Sequence, residues 1–98
     1  MAWISTRMRR RVETDFPAHT DLVCAALAGL TADVFPDEPR DSPPVERIQL
    51  AALRAASADL TRLNSAITLG RTDWRDLLVG AELADGDWRE RVDAELSG

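Results

Sequence analysis

An all-α fold, a compact orthogonal bundle of five or six short helices, is predicted by three features of this 98-residue sequence. Ala and Leu supply most of the apolar residues and are the best apolar helix formers, while aromatic residues make up only 5%. Apolar residues recur at three- and four-residue spacing along most of the chain. Sustained apolar–polar alternation, the pattern of a half-buried strand, is absent. A chain of this length makes one ordinary domain and buries roughly two-thirds of the surface its unfolded form exposes.

The first helix is expected over residues 2–15. Ile4, Met8, Val12 and Phe16 form one stripe, with Trp3 beside Ile4 and the arginines on the other faces. Pro17 sets a boundary near Phe16. The second helix is expected from about Ala18 to Thr31 or a little beyond, on a stripe of Val23, Leu27 and Leu30. His19 or Thr20 lies at its start, Asp21 favours the positive helix end, and Gly29 weakens the last turn. Residues 33–44 hold four of the five prolines and read as a stiff linker, pinned at its start by Val34 and Phe35.

Ser42 followed by Pro43 reads as an N-cap and first helical position. The third helix should run from Pro43 to Ala56 with Val45, Ile48, Ala52 and Ala55 on one stripe, widened by Leu50 and Leu53. A helix apolar over that much of its circumference belongs at the centre of a bundle. The fourth should span Ala58 to Leu69, with Leu60, Leu63, Ala66 and Ile67 inward and Gly70 as a left-handed stop. The fifth should begin at Thr72 or Asp73 and carry Trp74, Leu77, Leu78 and Ala81. The sixth should begin near Asp87 with Trp88, Val92 and Leu96. The whole is a single domain over 1–98: an N-terminal helical pair (2–31), the Pro-rich linker, and a C-terminal helical set (43–97).

Charge narrows the function classes. The formal net charge is −5, against the basic surplus usual in a nucleic-acid binder. All 12 basic residues are Arg, which fits a GC-rich genome more than a function. Arg7, Arg9, Arg10 and Arg11 cluster near the start and are the candidate contacts for an anion. The bland alternative is that they are solvated or neutralise the acidic remainder of the chain. No stretch has the ~18 consecutive apolar residues of a membrane span, and no apolar run follows the first charges as in a signal peptide. A cytoplasmic location is the expectation.

Asp73-Trp74-Arg75-Asp76 recurs fourteen residues later as Asp87-Trp88-Arg89-Glu90. Each copy fits a helix start, with the first Asp capping free amides and the acid three places on completing a box. Trp then acts as an anchor between elements, and Arg75 and Arg89 could stack on an indole. The functional alternative makes Trp74, Leu78, Trp88 and Val92 a contact surface for a protein, since Trp and Arg are enriched at interface hot spots. The stretch from Glu46-Arg47-Ile48-Gln49 through Asp73-Trp74-Arg75-Asp76-Leu77-Leu78-Val79 to Asp87-Trp88 resembles short uncharacterised helical proteins of high-GC actinobacteria. The likeness covers the C-terminal half, and Asp-Trp-Arg-Asp-Leu-Leu-Val is its most specific string. It implies a helical fold and carries no catalytic residues.

Chemistry has few footholds. His19 is the only histidine; Asp21 and Cys24 lie two and five residues on, off its helical face. Cys24 is a lone thiol, expected as a small core residue. Asp37, Glu38 and Asp41 lack a calcium-loop pattern, the zinc ligand set is missing, and no Gly-rich phosphate loop occurs. No cofactor, metal or catalytic residue is expected. The function expected is a noncatalytic interaction or accessory module, working with a protein partner or as a homo-oligomer. The alternatives are a nucleic-acid-associated regulator using the N-terminal arginines, and then a small enzyme.

Overall fold

The computed structural model describes residues 4–39 and 41–97. Five helices follow in order: α1 (Thr6–Asp15), α2 (Thr20–Val34), α3 (Pro43–Ala56), α4 (Leu60–Gly80) and α5 (Trp88–Ser97). No strand occurs among the described residues, so the fold is an all-α bundle.

Ser5 opens α1, its hydroxyl accepting the Met8 N–H at 3.3 Å. The start at Thr6 is later than residue 2, and the Trp3 expectation lies outside the described residues. Ile4, Met8, Val12 and Phe16 are all buried, as their spacing requires. α2 ends at Val34, a little beyond Thr31, with Gly29 in its interior; Phe35 closes it by donating to the Thr31 carbonyl at 2.8 Å. Pro36, with no N–H and a fixed φ, then prevents continuation.

α3 keeps its expected bounds and buries nine of its fourteen residues. Ser42 holds the N-cap position, but its hydroxyl makes no capping bond. Pro44, second in the helix, has no N–H for it to receive. Gln49, fully buried, donates from Nε2 to Thr31 Oγ1 at 3.2 Å and ties α3 to α2.

Two expectations for the next segment need correction. Ala58 does not begin a helix: Ser57 and Ala58 take left-handed φ values of 48° and 61° and turn the chain back on itself. Asp59 caps α4 instead, accepting from the Arg62 N–H at 3.0 Å. Nor does Gly70 stop the helix. It is helical and buried, and an added Cβ would lie 3.0 Å from Leu30 Cδ1 and 3.2 Å from Leu77 Cδ2. Gly70 is therefore a point of close approach between α4 and α2. The helix expected from Thr72 or Asp73 does begin there: Asp73 (φ −153°, ψ 82°) is non-helical and divides α4 at a kink into two helical segments.

All five helices feed one core, and the α3–α4 interface is its most extensive. Leu27, Leu30, Leu50, Leu53 and Leu83 are completely enclosed. Each contributes about 1.5–3 kcal/mol relative to exposure in the unfolded chain.

Candidate functional site

Trp74 and Trp88 serve as anchors between elements. Trp74 meets Phe35 edge-on, ring centroids 5.4 Å apart, and so fastens the start of the Pro-rich connector to α4. Asp73 caps the turn that carries it, its Oδ1 accepting the Asp76 N–H at 3.2 Å. The second copy of the motif behaves differently: Asp87 Oδ2 takes Arg91 Nε at 3.0 Å. Trp88 lies under the Arg47 guanidinium, 4.4 Å from its centroid, which fastens α5 to α3. Arg75 and Arg89 also stand over the indole preceding each of them.

The four residues expected to form one contact surface do not share a fate. Leu78 and Val92 are each 2% exposed and belong to the core, so neither presents a side chain to a partner. Trp74 and Trp88 are half-buried against it. The reason is geometric: large apolar residues at helical spacing on short helices are drawn inward first.

The arginine cluster is also largely committed. Glu46, whose side chain is only 4% exposed, receives Arg7 Nε at 2.8 Å, Arg7 Nη2 at 2.7 Å and the Ser5 hydroxyl at 2.6 Å. Arg7 Nη2 also reaches Asp93 at 2.8 Å. This hydrogen bonding, chiefly from Glu46, holds the Arg7 guanidinium protonated well above its ordinary range. Arg9 bridges Asp21 and Glu13. Arg11 bridges Asp15 and Glu95, and Glu95 in turn receives Arg54 Nε at 2.8 Å. Of the four candidates for anion contact, only Arg10 is exposed with no ion pair among the described residues. The cluster is an internal fastener, since local carboxylates at fixed distance outcompete a free anion that must be immobilised.

Other chemical groups are dispersed. His19 is exposed at the start of α2, in a shallow depression with Pro17, Asp59 and Leu60. Cys24 is buried, with Arg9 Nη1 3.8 Å from its sulfur. Burial pushes its thiol up in spite of Arg9, which leaves it a poor nucleophile near neutrality. No group of three metal-ligating side chains occurs among the described residues. No described helix is long and apolar enough to cross a membrane.

One surface went unread in the sequence. α2 and α4 approach closely at one place, where Gly29 and Asp33 of α2 meet Arg71 of α4 and Leu30 meets Gly70. Away from the exposed Arg71–Asp33 pair that joins them, their outward faces are poor in charge. Leu22 through Ala32 carry no charged residue, nor do Leu63 through Gly70, in a chain that is 30% charged. On α2 the face shows Leu22, 62% exposed, beside Ala25 and the small Ala26 and Gly29. On α4 it shows Asn64, Ser65, Thr68, Leu69 and Thr72, all exposed and on one helical stripe. The α4 hydroxyls turn inward: Ser65, Thr68 and Thr72 donate to the carbonyls four residues back at 3.3, 3.0 and 3.0 Å. Their donors are thus satisfied before any partner arrives. The signal that could have located this face is the pair of charge-free intervals.

Compared with protein-family models, curated proteins and solved structures, the chain matches none.

Proposed function

We propose that the chain is a noncatalytic helical interaction module that self-associates through the outward faces of α2 and α4. The observation that carries this reading is the charge-poor two-helix face, whose one charged pair, Arg71–Asp33, neutralises itself. Depletion of charge at the centre of a patch marks interface cores better than bulk hydrophobicity does.

A second copy is the occupant the face suits. It holds protruding residues, Leu22 and Leu69, and small ones, Ala25 and Ala26, while Arg71 lies against Gly29. A surface with both knobs and holes is complementary to itself about a twofold axis. Its one charged pair, Arg71–Asp33, is neutral overall and offers no net charge by which to select a charged partner. Burying it costs little in lost hydrogen bonds, because the hydroxyl donors are already used within α4.

The charge elsewhere gives the association a sign. Two molecules of net charge −5 repel, while the contact itself is neutral. Added salt screens the repulsion and strengthens the dimer. A nucleic-acid complex made by the arginines would weaken instead. Sedimentation velocity at rising protein concentration and at 0.05 and 0.5 M salt tests this, with Ala25→Arg and Leu69→Arg as variants. The expected result is a wild-type dimer favoured by salt and at least tenfold weaker in each variant, with unchanged thermal melts. A chain that stays monomeric at millimolar concentration, or a dimer indifferent to both variants, would falsify the reading.

A further inference from the structure

We infer that the groove between α1 and α3, filled in this structure by α5, is a docking site for an acidic amphipathic helix of a partner protein. In this assignment α5 is the resting occupant that such a helix displaces.

The walls of the groove carry four arginines, Arg7 and Arg11 on α1 and Arg47 and Arg54 on α3. All four are turned to α5. Arg7 meets Asp93, Arg11 and Arg54 grip the two oxygens of Glu95, and Arg47 lies over Trp88. Among the partners outside α5, Glu46 and Asp15 balance only two of these charges. The groove beneath α5 is therefore cationic, although the chain as a whole is acidic. By helical spacing, the fully buried Leu50 and Ala51 lie between Arg47 and Arg54 and form an apolar floor.

The hold of α5 on this groove differs in kind from the packing elsewhere. Val92 is the one residue of α5 that is buried, with Trp88 and Leu96 partly covered. The remaining attachments are ion pairs and the Arg47–Trp88 contact, and Asp93 is 65% exposed in its pair. At that exposure the Asp93 pair is worth little and is screened by salt, whereas the Glu95 pairs with Arg11 and Arg54 are more covered. Leu83 stays buried as the anchor of the preceding turn, and Ala84, Asp85, Gly86 and Asp87 after it are all exposed. Those four residues can change conformation without opening the core.

α5 also specifies what would replace it. Trp88, Val92 and Leu96 repeat at four-residue spacing and face the groove, with carboxylates at Asp93 and Glu95 set to meet the arginines. The partner helix is thus one with an aromatic residue, aliphatic residues four and eight places on, and acidic residues five and seven places on. Its recognition follows the helix-in-groove mode, in which apolar anchors give affinity and flanking charges fix register.

The test uses the full chain and a fluorescent peptide of residues 84–97 as the probe. In Asp93→Arg/Glu95→Arg the chain's own α5 is repelled from the groove while the groove is untouched. The peptide is expected to bind this variant at least tenfold more tightly than wild type, more weakly as salt rises, and a peptide with the same two reversals is expected not to bind. Equal binding of the native and reversed peptides, or no binding to either chain, overturns the assignment. Should that variant not fold, hydrogen exchange on wild type decides. Amides of residues 89–97 are expected to exchange through a local opening that salt accelerates, ahead of those of α3. Exchange of α5 only together with α3 at every salt concentration overturns it. So does a wild-type dimer that cross-links through α5, because the occupant would then be a second copy.

Discussion

The outward α2–α4 face and the α1–α5 seam are both polar surfaces on helices, yet their polar groups do opposite things. On α4 the hydroxyls of Ser65, Thr68 and Thr72 bond to their own helix, so the face is spent locally and left neutral outside. At the seam, Arg7, Arg11, Asp93 and Glu95 reach across to other helices and bind three elements together. One surface is free to meet another molecule and contributes little to the fold. The other is engaged within the molecule, where its ion pairs fasten α5 to α1 and α3. The difference shows that a polar helix face must be judged by where its hydrogen bonds end, and that counting charged residues does not do this.

Three sets of substitutions sharpen the contrast, beginning with the seam. Glu46→Ala removes the buried carboxylate that holds Arg7 and Ser5, leaving a partly buried guanidinium with only the exposed Asp93. Loss of one partner of a fully buried pair costs about 3–5 kcal/mol, and the partial exposure of Arg7 lowers this to about 2–3 kcal/mol. Urea denaturation should show it, and Glu46→Gln should recover part of the loss by keeping hydrogen-bonding capacity. A loss below about 0.5 kcal/mol would mean that the seam is decorative.

Gly70→Ala probes the inner side of α4, directly beneath its neutral face. The new Cβ must push Leu30 and Leu77 aside, which costs about 1–3 kcal/mol and outweighs the roughly 1 kcal/mol that Ala gains as a helix former. A net loss of about 1 kcal/mol is expected. Gly80→Ala, where the Cβ meets nothing within 4 Å, should instead raise stability by about 0.5–1 kcal/mol. Equal effects at the two glycines would show that Gly70 is not a close approach.

Smallest of all is the effect on the outer side. Thr68→Ala and Ser65→Ala remove self-bonded hydroxyls from an exposed helix, and each should change stability by less than about 0.5 kcal/mol. A loss above 1 kcal/mol in thermal or chemical melts would show that these hydroxyls hold the fold.

Much of the scaffold could be read directly. The Ile4–Met8–Val12–Phe16 stripe, the Pro43 start of α3 and the stapling role of the two tryptophans follow from local spacing, which is all that a helix needs. The fates of the arginines could not be read in the same way. Arg7 finds partners 39 and 86 positions away, and Arg11 one 84 positions away. No local pattern specifies such pairs. Gly70 was misread for a related reason: a glycine that ends a helix and one that admits a neighbouring helix look alike until Leu30 is brought against it. The α2–α4 face was legible in principle, as two intervals without charge, but became a surface only once those intervals were brought together.

The pairing of Arg7 with Asp93 joins segments near opposite ends of the chain, and this has a kinetic consequence. α3 and α4 are joined by three residues and can pack early, since closing a short loop loses little entropy. The α1–α5 seam must wait until almost the whole chain has been drawn in. Contacts that form after the rate-limiting step govern how fast a protein comes apart, and hardly affect how fast it assembles. Weakening the seam, as in Glu46→Ala, is thus expected to speed unfolding more than it slows folding.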